Sequence, residues 1–333
     1  MSGTTDLREA FQEAATAACR APSIHNTQPW HWRVHPDSLE LWSVPERQLA
    51  ATDPEGRMLA ISCGAALHHA RVALAALGYA TAAALVPDEA EPTLLARVEV
   101  TGHHPNDPAA MRRYQAIEMR HTDRRPVTGQ PVDPAELDAV SAAVAAQDPD
   151  PVADPGAHLH VLHPDQVIEL ASAASYAQQT ENADEQLRAE LDYWVGSNRP
   201  LGAGVPDANL PSSPPQTTVP GRDFGHLGGL PISEAHDKAA SYGLIYTDRD
   251  DQLGWLTAGQ ALSAGWLTAI ELGLGIMPLS AATEVEVTRV RLRQMLTEDA
   301  YPQLVLRLGN AEPDSAGPGA TPRLPVTETV EVD

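Results

Sequence analysis

Ala21-Pro22-Ser23-Ile24-His25-Asn26-Thr27-Gln28-Pro29-Trp30 is the stretch on which the reading of this chain turns. Its two prolines fix the backbone, and Ser23, Asn26, Thr27 and Gln28 can donate and accept hydrogen bonds to a planar polar ring. On physics alone two readings stand. In one, Ser23 and Asn26 close a turn and Trp30 fills the core; in the other, the segment holds a ligand. The flanks fix where it sits. Before it, Asp6 reads as a helix N-cap with Glu9 three residues on, and Leu7, Phe11, Ala14 and Ala18 share one helical face that ends near Arg20. After it, Trp30, Trp32 and Val34 alternate with His31 and Arg33, a turn follows at His35-Pro36-Asp37-Ser38, and Leu39 to Val44 forms a second strand. The segment therefore joins a helix to a β-hairpin.

Working outward, a long helix is expected over 57–77, with Gly78 just past its end, and a short strand over 95–100 closes a first unit, 1–105. The second unit, 106–333, holds helices over 133–146 and within 164–195, strands over 158–162, 243–247 and 304–308, a buried helix over 251–272 and an amphipathic helix over 284–296. Between them the 196–225 segment carries six prolines and five glycines, too long for an ordinary connection, so it reads as a functional loop or a mobile linker. Helices wrapped around a small sheet in each half predict an α+β fold.

Composition narrows the function. The 333 residues carry a formal charge of −23, which repels phosphodiester backbones, so no nucleic-acid partner is expected and an anionic ligand needs a local arginine cluster. Cys19 and Cys63, the two cysteines, lack metal or redox spacing. No secretory signal is read at the N-terminus, and the uncharged run over 253–270 is broken by glycines, Gln260 and Ser263, so a buried helix, no membrane span and a cytoplasmic location are expected. The paired histidines His68-His69 and His103-His104 and the alternating His158, His160 and His163 lack further ligands, so no metal site is expected. Gly273-Leu274-Gly275 follows a helix instead of a strand and is no dinucleotide fingerprint, and no G-x-S-x-G element supports a hydrolase.

Arg120-His121-Thr122-Asp123-Arg124-Arg125-Pro126 puts three guanidiniums and a hydroxyl within six residues of an acidic chain, the donors a terminal phosphate needs. A solvated basic turn is the plainer alternative. Together the two stretches carry a resemblance. The 21–34 segment resembles the APS-x-x-N-x-QPW element of the nitroreductase superfamily, and RHTDRR resembles its RRS-x-R phosphate motif. The arginine motif lies here about 100 residues after the first, an order similar to that of the Acg-like family, in which two nitroreductase-like halves are fused into one chain. The Asp192 to Gly196, Gly204 to Pro206, Gly273 to Leu279 and Tyr301 to Gly309 stretches extend the resemblance over most of the chain.

What the resemblance implies is a nitroreductase-like α+β fold, a pseudo-dimer with one FMN pocket. Arg120, Thr122 and Arg124 would contact the phosphate, with His121 in place of an arginine and Arg125 available to compensate; Arg323 would be a further basic group near the phosphate. Pro22, Ser23, Asn26 and Gln28 would contact the ring, and Gly275, Ile276, Met277 and Pro278 would approach it near N5. The implied activity is NAD(P)H-dependent reduction of nitro or quinone-type acceptors with no catalytic side chain, since hydride moves between nicotinamide and flavin. Two other expectations stand beside it: an FMN-sequestering or storage protein of stress or dormancy whose 196–225 lid blocks hydride donors, and a member that has lost the cofactor. A homodimer beyond the pseudo-dimer is left open.

Overall fold

The structure is a computed structural model that describes residues 2–88, 90–105, 107–127, 129–146, 156–195, 201–232, 236–237, 239–310 and 319–333. In chain order it runs α1 (Ser2–Ala18), β1 (Trp30–Val34), β2 (Ser38–Ser43), α2 (Arg57–Ala76), β3 (Tyr79–Leu85), β4 (Leu94–His103), α3 (Pro108–Met119), α4 (Pro134–Ala145), β5 (Ala157–Val161), α5 (Pro164–Ala183) and α6 (Glu185–Val195). There follow β6 (Ser241–Thr247), α7 (Gln252–Glu271), β7 (Leu274–Leu279), α8 (Ala281–Glu284), α9 (Glu286–Arg293), β8 (Tyr301–Asn310) and β9 (Val330–Val332). The expected mixture of helices and sheets is present. Local chemistry sets several boundaries: Asp107 accepts from the Ala109 amide with Pro108 in the first turn of α3, Asp133 and Glu136 close a capping box on α4, and Asp251 accepts from the Gly254 amide to start α7. The helix expected to start at Asp6 begins instead at Ser2.

The strands form two sheets, ordered β3-β4-β2-β1-β9 and β5-β6-β8-β7. Period-2 alternation in β1 buries Trp30, Trp32 and Val34 completely against α1 and α2, while His31 and Arg33 face outward. A second core packs α4 and α7 on the β6, β7 and β8 side chains. The C-terminal end of the segment expected as a second half, 106–333, lies in the first sheet. Strand β9 pairs in parallel with β1, Trp32 opposite Val330 and Val34 opposite Val332, and so returns the chain end to the first sheet.

Helices α2 and α7 cross backbone to backbone. A Cβ on Gly64 would lie 2.1 Å from the Leu256 carbonyl oxygen, and one on Gly259 would lie 2.0 Å from that of Ile61. Among the described helices, α2 is the one long and apolar enough to cross a bilayer, and 89% of its apolar window is buried inside the protein. The sequence points to 253–270 for such a run; both helices are interior here because each lies against the other.

Candidate ligand site

Three of the residues between Pro22 and Pro29 adopt left-handed backbone, His25 at φ 45°, Asn26 at φ 56° and Gln28 at φ 51°, a region unfavourable for side chains with a Cβ. Long-range hydrogen bonds hold them there. The Asn26 amide donates to the carbonyls of Gly204 (3.1 Å) and Pro322 (3.0 Å). The Gln28 amide donates to the Gly202 carbonyl (2.9 Å) and accepts from the Leu324 N–H (3.0 Å). The Ser23 hydroxyl accepts from the Gln28 N–H at 3.0 Å. Asn26 and Gln28 thus staple three distant stretches together, and neither lines the cavity beside them. Replacing Gln28 with Met leaves the buried Leu324 N–H unpaired and takes from the Gly202 carbonyl its shorter donor, the Asn26 amide remaining at 3.5 Å, for a loss of about 2–4 kcal/mol. Thermal unfolding should therefore fall by about 5–12 °C. An unchanged midpoint would show that the staple does not hold the fold.

Beside the staple lies a cavity of about 460 Å³, within the usual range for small-molecule sites. Pro22, Ser23 and His25 form one wall, Ser62 of α2 and Trp266 of α7 the floor, Met277 and Pro278 of β7 an edge, and Gln178 of α5 the far side; residues between Pro211 and Leu227 roof it. Of the expected site residues, Pro22, Ser23, Thr122, Arg124, Met277 and Pro278 line this space. Gly275 and Ile276 do not. Gly275 backs onto Asp123, whose carboxylate oxygen would lie 3.5 Å from its Cβ, and Ile276 is fully buried in the second core. The Asp123 N–H donates to the Ile276 carbonyl at 3.0 Å, which ties the arginine segment to β7. Of the 196–225 lid, residues 196–200 lie outside the described residues.

The arginine motif is parted. Arg120 stacks 4.7 Å from the Trp266 ring centroid and donates to the Arg20 carbonyl at 3.0 Å. Arg323 donates to that same carbonyl at 3.0 Å and to the Asn26 Oδ1 at 3.1 Å. Two guanidiniums therefore converge on one oxygen, and among the described residues neither has a carboxylate in ion-pair range. The Nε atoms of both, and the Trp266 Nε1, are buried without a hydrogen-bond partner. Burial, with the neighbouring Arg323 charge adding to it, lowers Arg120 to about 9, and burial lowers Arg323 to about 10. Both stay cationic at neutral pH.

Arg124 goes elsewhere: it donates to the Asn209 carbonyl at 3.3 Å, lies 5.4 Å from the Phe224 ring centroid, and burial lowers it to about 10. Thr122, between them, lines the cavity. Arg125 is not available to replace a missing arginine there, because its guanidinium is bound to Asp123 at 2.6 Å. Sequence reasoning did not single out His25, Trp266, Arg222 or Phe224 as parts of this site. Trp266 sits in an apolar run that reads as core, and Arg222 and Phe224 sit in a proline-rich stretch without periodicity.

A largely apolar, partly open cavity with buried, uncompensated guanidiniums beside it has the chemistry that suits a small organic ligand carrying an anionic group. Two Mycobacterium tuberculosis proteins whose names read "Putative NAD(P)H nitroreductase" are similar over nearly the whole chain. Rv3131 is 38% identical over 97% of this chain and 91% of its own length, and Acg is 31% identical over 99% and 96%. The chain belongs to this Acg-like family of the nitroreductase superfamily. No family model matches it. Among solved structures, the FMN- and NADPH-dependent nitroreductase NfnB of sphigopyxis sp. strain HMH is similar over 66% of this chain and 97% of its own, with 16% identity and a TM-score of 0.42. A Bacteroides fragilis nitroreductase with bound FMN is similar over 61% and 90%, with 14% identity and a TM-score of 0.40.

Proposed function

We propose that the chain is an FMN-dependent oxidoreductase that accepts hydride from NAD(P)H and delivers electrons to nitro or quinone-type acceptors. The observation that carries this is the convergence of Arg120 and Arg323 on the Arg20 carbonyl, two residues before the cavity-lining Pro22: neither guanidinium lines the cavity, but Arg120 stacks on its Trp266 floor, and both carry a buried Nε–H without a partner. The donor set fits FMN. Arg120 and Arg323, with the Thr122 hydroxyl, would hold the phosphate; Pro22, Ser23, Met277 and Pro278 would bear on the ring; Arg124, set apart from the other two, would stabilise negative charge that develops on the ring rather than the phosphate. When bound, FMN supplies the hydride chemistry. The chain's part is to orient the ring, to place the Arg124 cation, and to exclude water beneath the roof. No side chain is assigned as acid or base.

A second reading is favoured by one observation: the 211–227 roof contributes much of the cavity wall, as a sequestering protein would need. Purified protein should show the absorption bands of oxidised flavin with about one FMN per chain, the count a single intrachain pocket requires. Anaerobic NADPH or NADH should then bleach them. Bound flavin that no nicotinamide reduces favours sequestration, and a protein that takes up no FMN overturns both readings.

A further inference from the structure

The tip of the roof over the cavity meets a buried charge cluster. Arg222 has a side chain only 8% exposed, and it bridges Glu181 of α5 (3.3 Å) and Glu284 of α8, whose side chains are 10% and 3% exposed. It also meets the His25 Nε2 at 3.2 Å, and the Phe224 ring packs edge-on to that imidazole. The rest of the roof is anchored on either side of this point. Gly202 and Gly204 are stapled by Asn26 and Gln28, and further on the Thr218 hydroxyl donates to the Asp237 carbonyl and the Val219 N–H to the Tyr242 hydroxyl. Between Gly221 and Leu227, among the described residues, the side-chain hydrogen bonds to structure outside the 201–230 loop are those of Arg222; Asp223 accepts from the Gly225 N–H and His226 meets Asp207, both within that loop, and the Phe224 ring lies against Arg124 without a hydrogen bond.

We propose that Arg222 is the latch of this roof: its bridge to Glu181 and Glu284 pins the 220–227 tip over the cavity, and release of that bridge admits a hydride donor. The access claim rests on the FMN reading above, whereas the pinning claim does not. A buried guanidinium that loses its carboxylates cannot stay where it is without a large cost, so the cluster has two states, closed with the Arg222 cation held between the two carboxylates or open with that cation in water. That two-state character is what a latch requires. His25 enters the same cluster from the left-handed segment, which places the latch directly against the wall of the ligand site.

The test uses the full-length protein. Arg222→Met combined with Glu181→Gln and Glu284→Gln removes the cluster without leaving a buried charge unpaired. Chymotryptic cleavage after Phe224, identified by fragment mass, should become about tenfold faster or more, because cleavage tracks the population of the open form. If FMN binds, anaerobic bleaching by NADPH should speed up in parallel. Cleavage at the wild-type rate overturns the latch, whatever the flavin does. A protein that binds no FMN yet shows faster cleavage in the variant overturns the functional reading and keeps the latch. Should the triple variant not fold, Glu181→Gln alone, which leaves Glu284 on the guanidinium, must still raise the cleavage rate about threefold. No rise in that variant overturns the proposal equally.

Discussion

Arg120→Met and Arg323→Met together are expected to weaken FMN binding by about 10²- to 10⁴-fold. Each guanidinium would make at least one charge-assisted hydrogen bond to the phosphate, worth about 1.5–3 kcal/mol. Two of them give about 3–6 kcal/mol, and each 1.4 kcal/mol is about tenfold in affinity. The effect should exceed what exposed arginines supply, because both side chains are already desolvated and, among the described residues, neither has a carboxylate to leave when a phosphate arrives. Methionine keeps much of the stacked volume over Trp266, so the loss reads charge and donors rather than a cavity. Arg20 supplies the contrast. Its side chain is 53% exposed and pairs with Glu118, and only its backbone carbonyl serves the pair, so Arg20→Ala should leave affinity within about twofold. Flavin fluorescence titration reads both. If the double variant binds FMN as tightly as the parent chain, the phosphate lies elsewhere, and Arg124 becomes the next place to look.

Much of the scaffold was legible because local chemistry announces it. Capped helices such as α4, the Trp30–Val34 alternation and the long apolar α2 and α7 carry their periodicity in the chain itself. The unannounced strands share a reason. β3 is alanine-rich and sits at a sheet edge, and β7 carries Pro278, which an edge strand tolerates and an interior strand would not. β9 is only three residues long, and it is a strand because β1 is already there to receive it. The site divides in the same way. Pro22, Ser23, Thr122 and Arg124 line the cavity as residues near their own motifs should. Asn26 and Gln28 offer the right donors for a ring, yet their partners lie 178 and 174 residues away at Gly204 and Gly202, and more than 290 away at Pro322 and Leu324. No local pattern encodes such partners. Arg222 was hidden for the converse reason, since a lone arginine among prolines reads as solvated until Glu181 and Glu284 are brought to it.

Gly259→Ala is expected to lower stability by about 3 kcal/mol, against the sign that helix propensity alone gives. In an isolated helix the change would stabilise by roughly 0.5–1 kcal/mol, because glycine loses more backbone freedom on folding. Here the added carbon would stand 2.0 Å from the Ile61 carbonyl oxygen and 2.8 Å from the Gly64 Cα, both backbone atoms of the crossing helix. Backbone cannot swing aside as a side-chain tip can, so α2 and α7 must separate, and overpacking of this kind costs about 1–3 kcal/mol or more. The melting temperature should fall by about 6–12 °C. Gly265→Ala, one turn and a half along the same helix, is the internal control. Its Cβ would lie 2.8 Å from a Val144 methyl, which can turn away, so the expected loss is nearer 1 kcal/mol. The larger change should reach the site as well. Ser62 lies two residues from Gly64 and Trp266 seven from Gly259, and both line the cavity, so parting the helices moves the floor on which the ligand rests. Flavin retention should therefore fall in Gly259→Ala and persist in Gly265→Ala. Equal losses in the two would mean that the crossing sets stability without positioning the site.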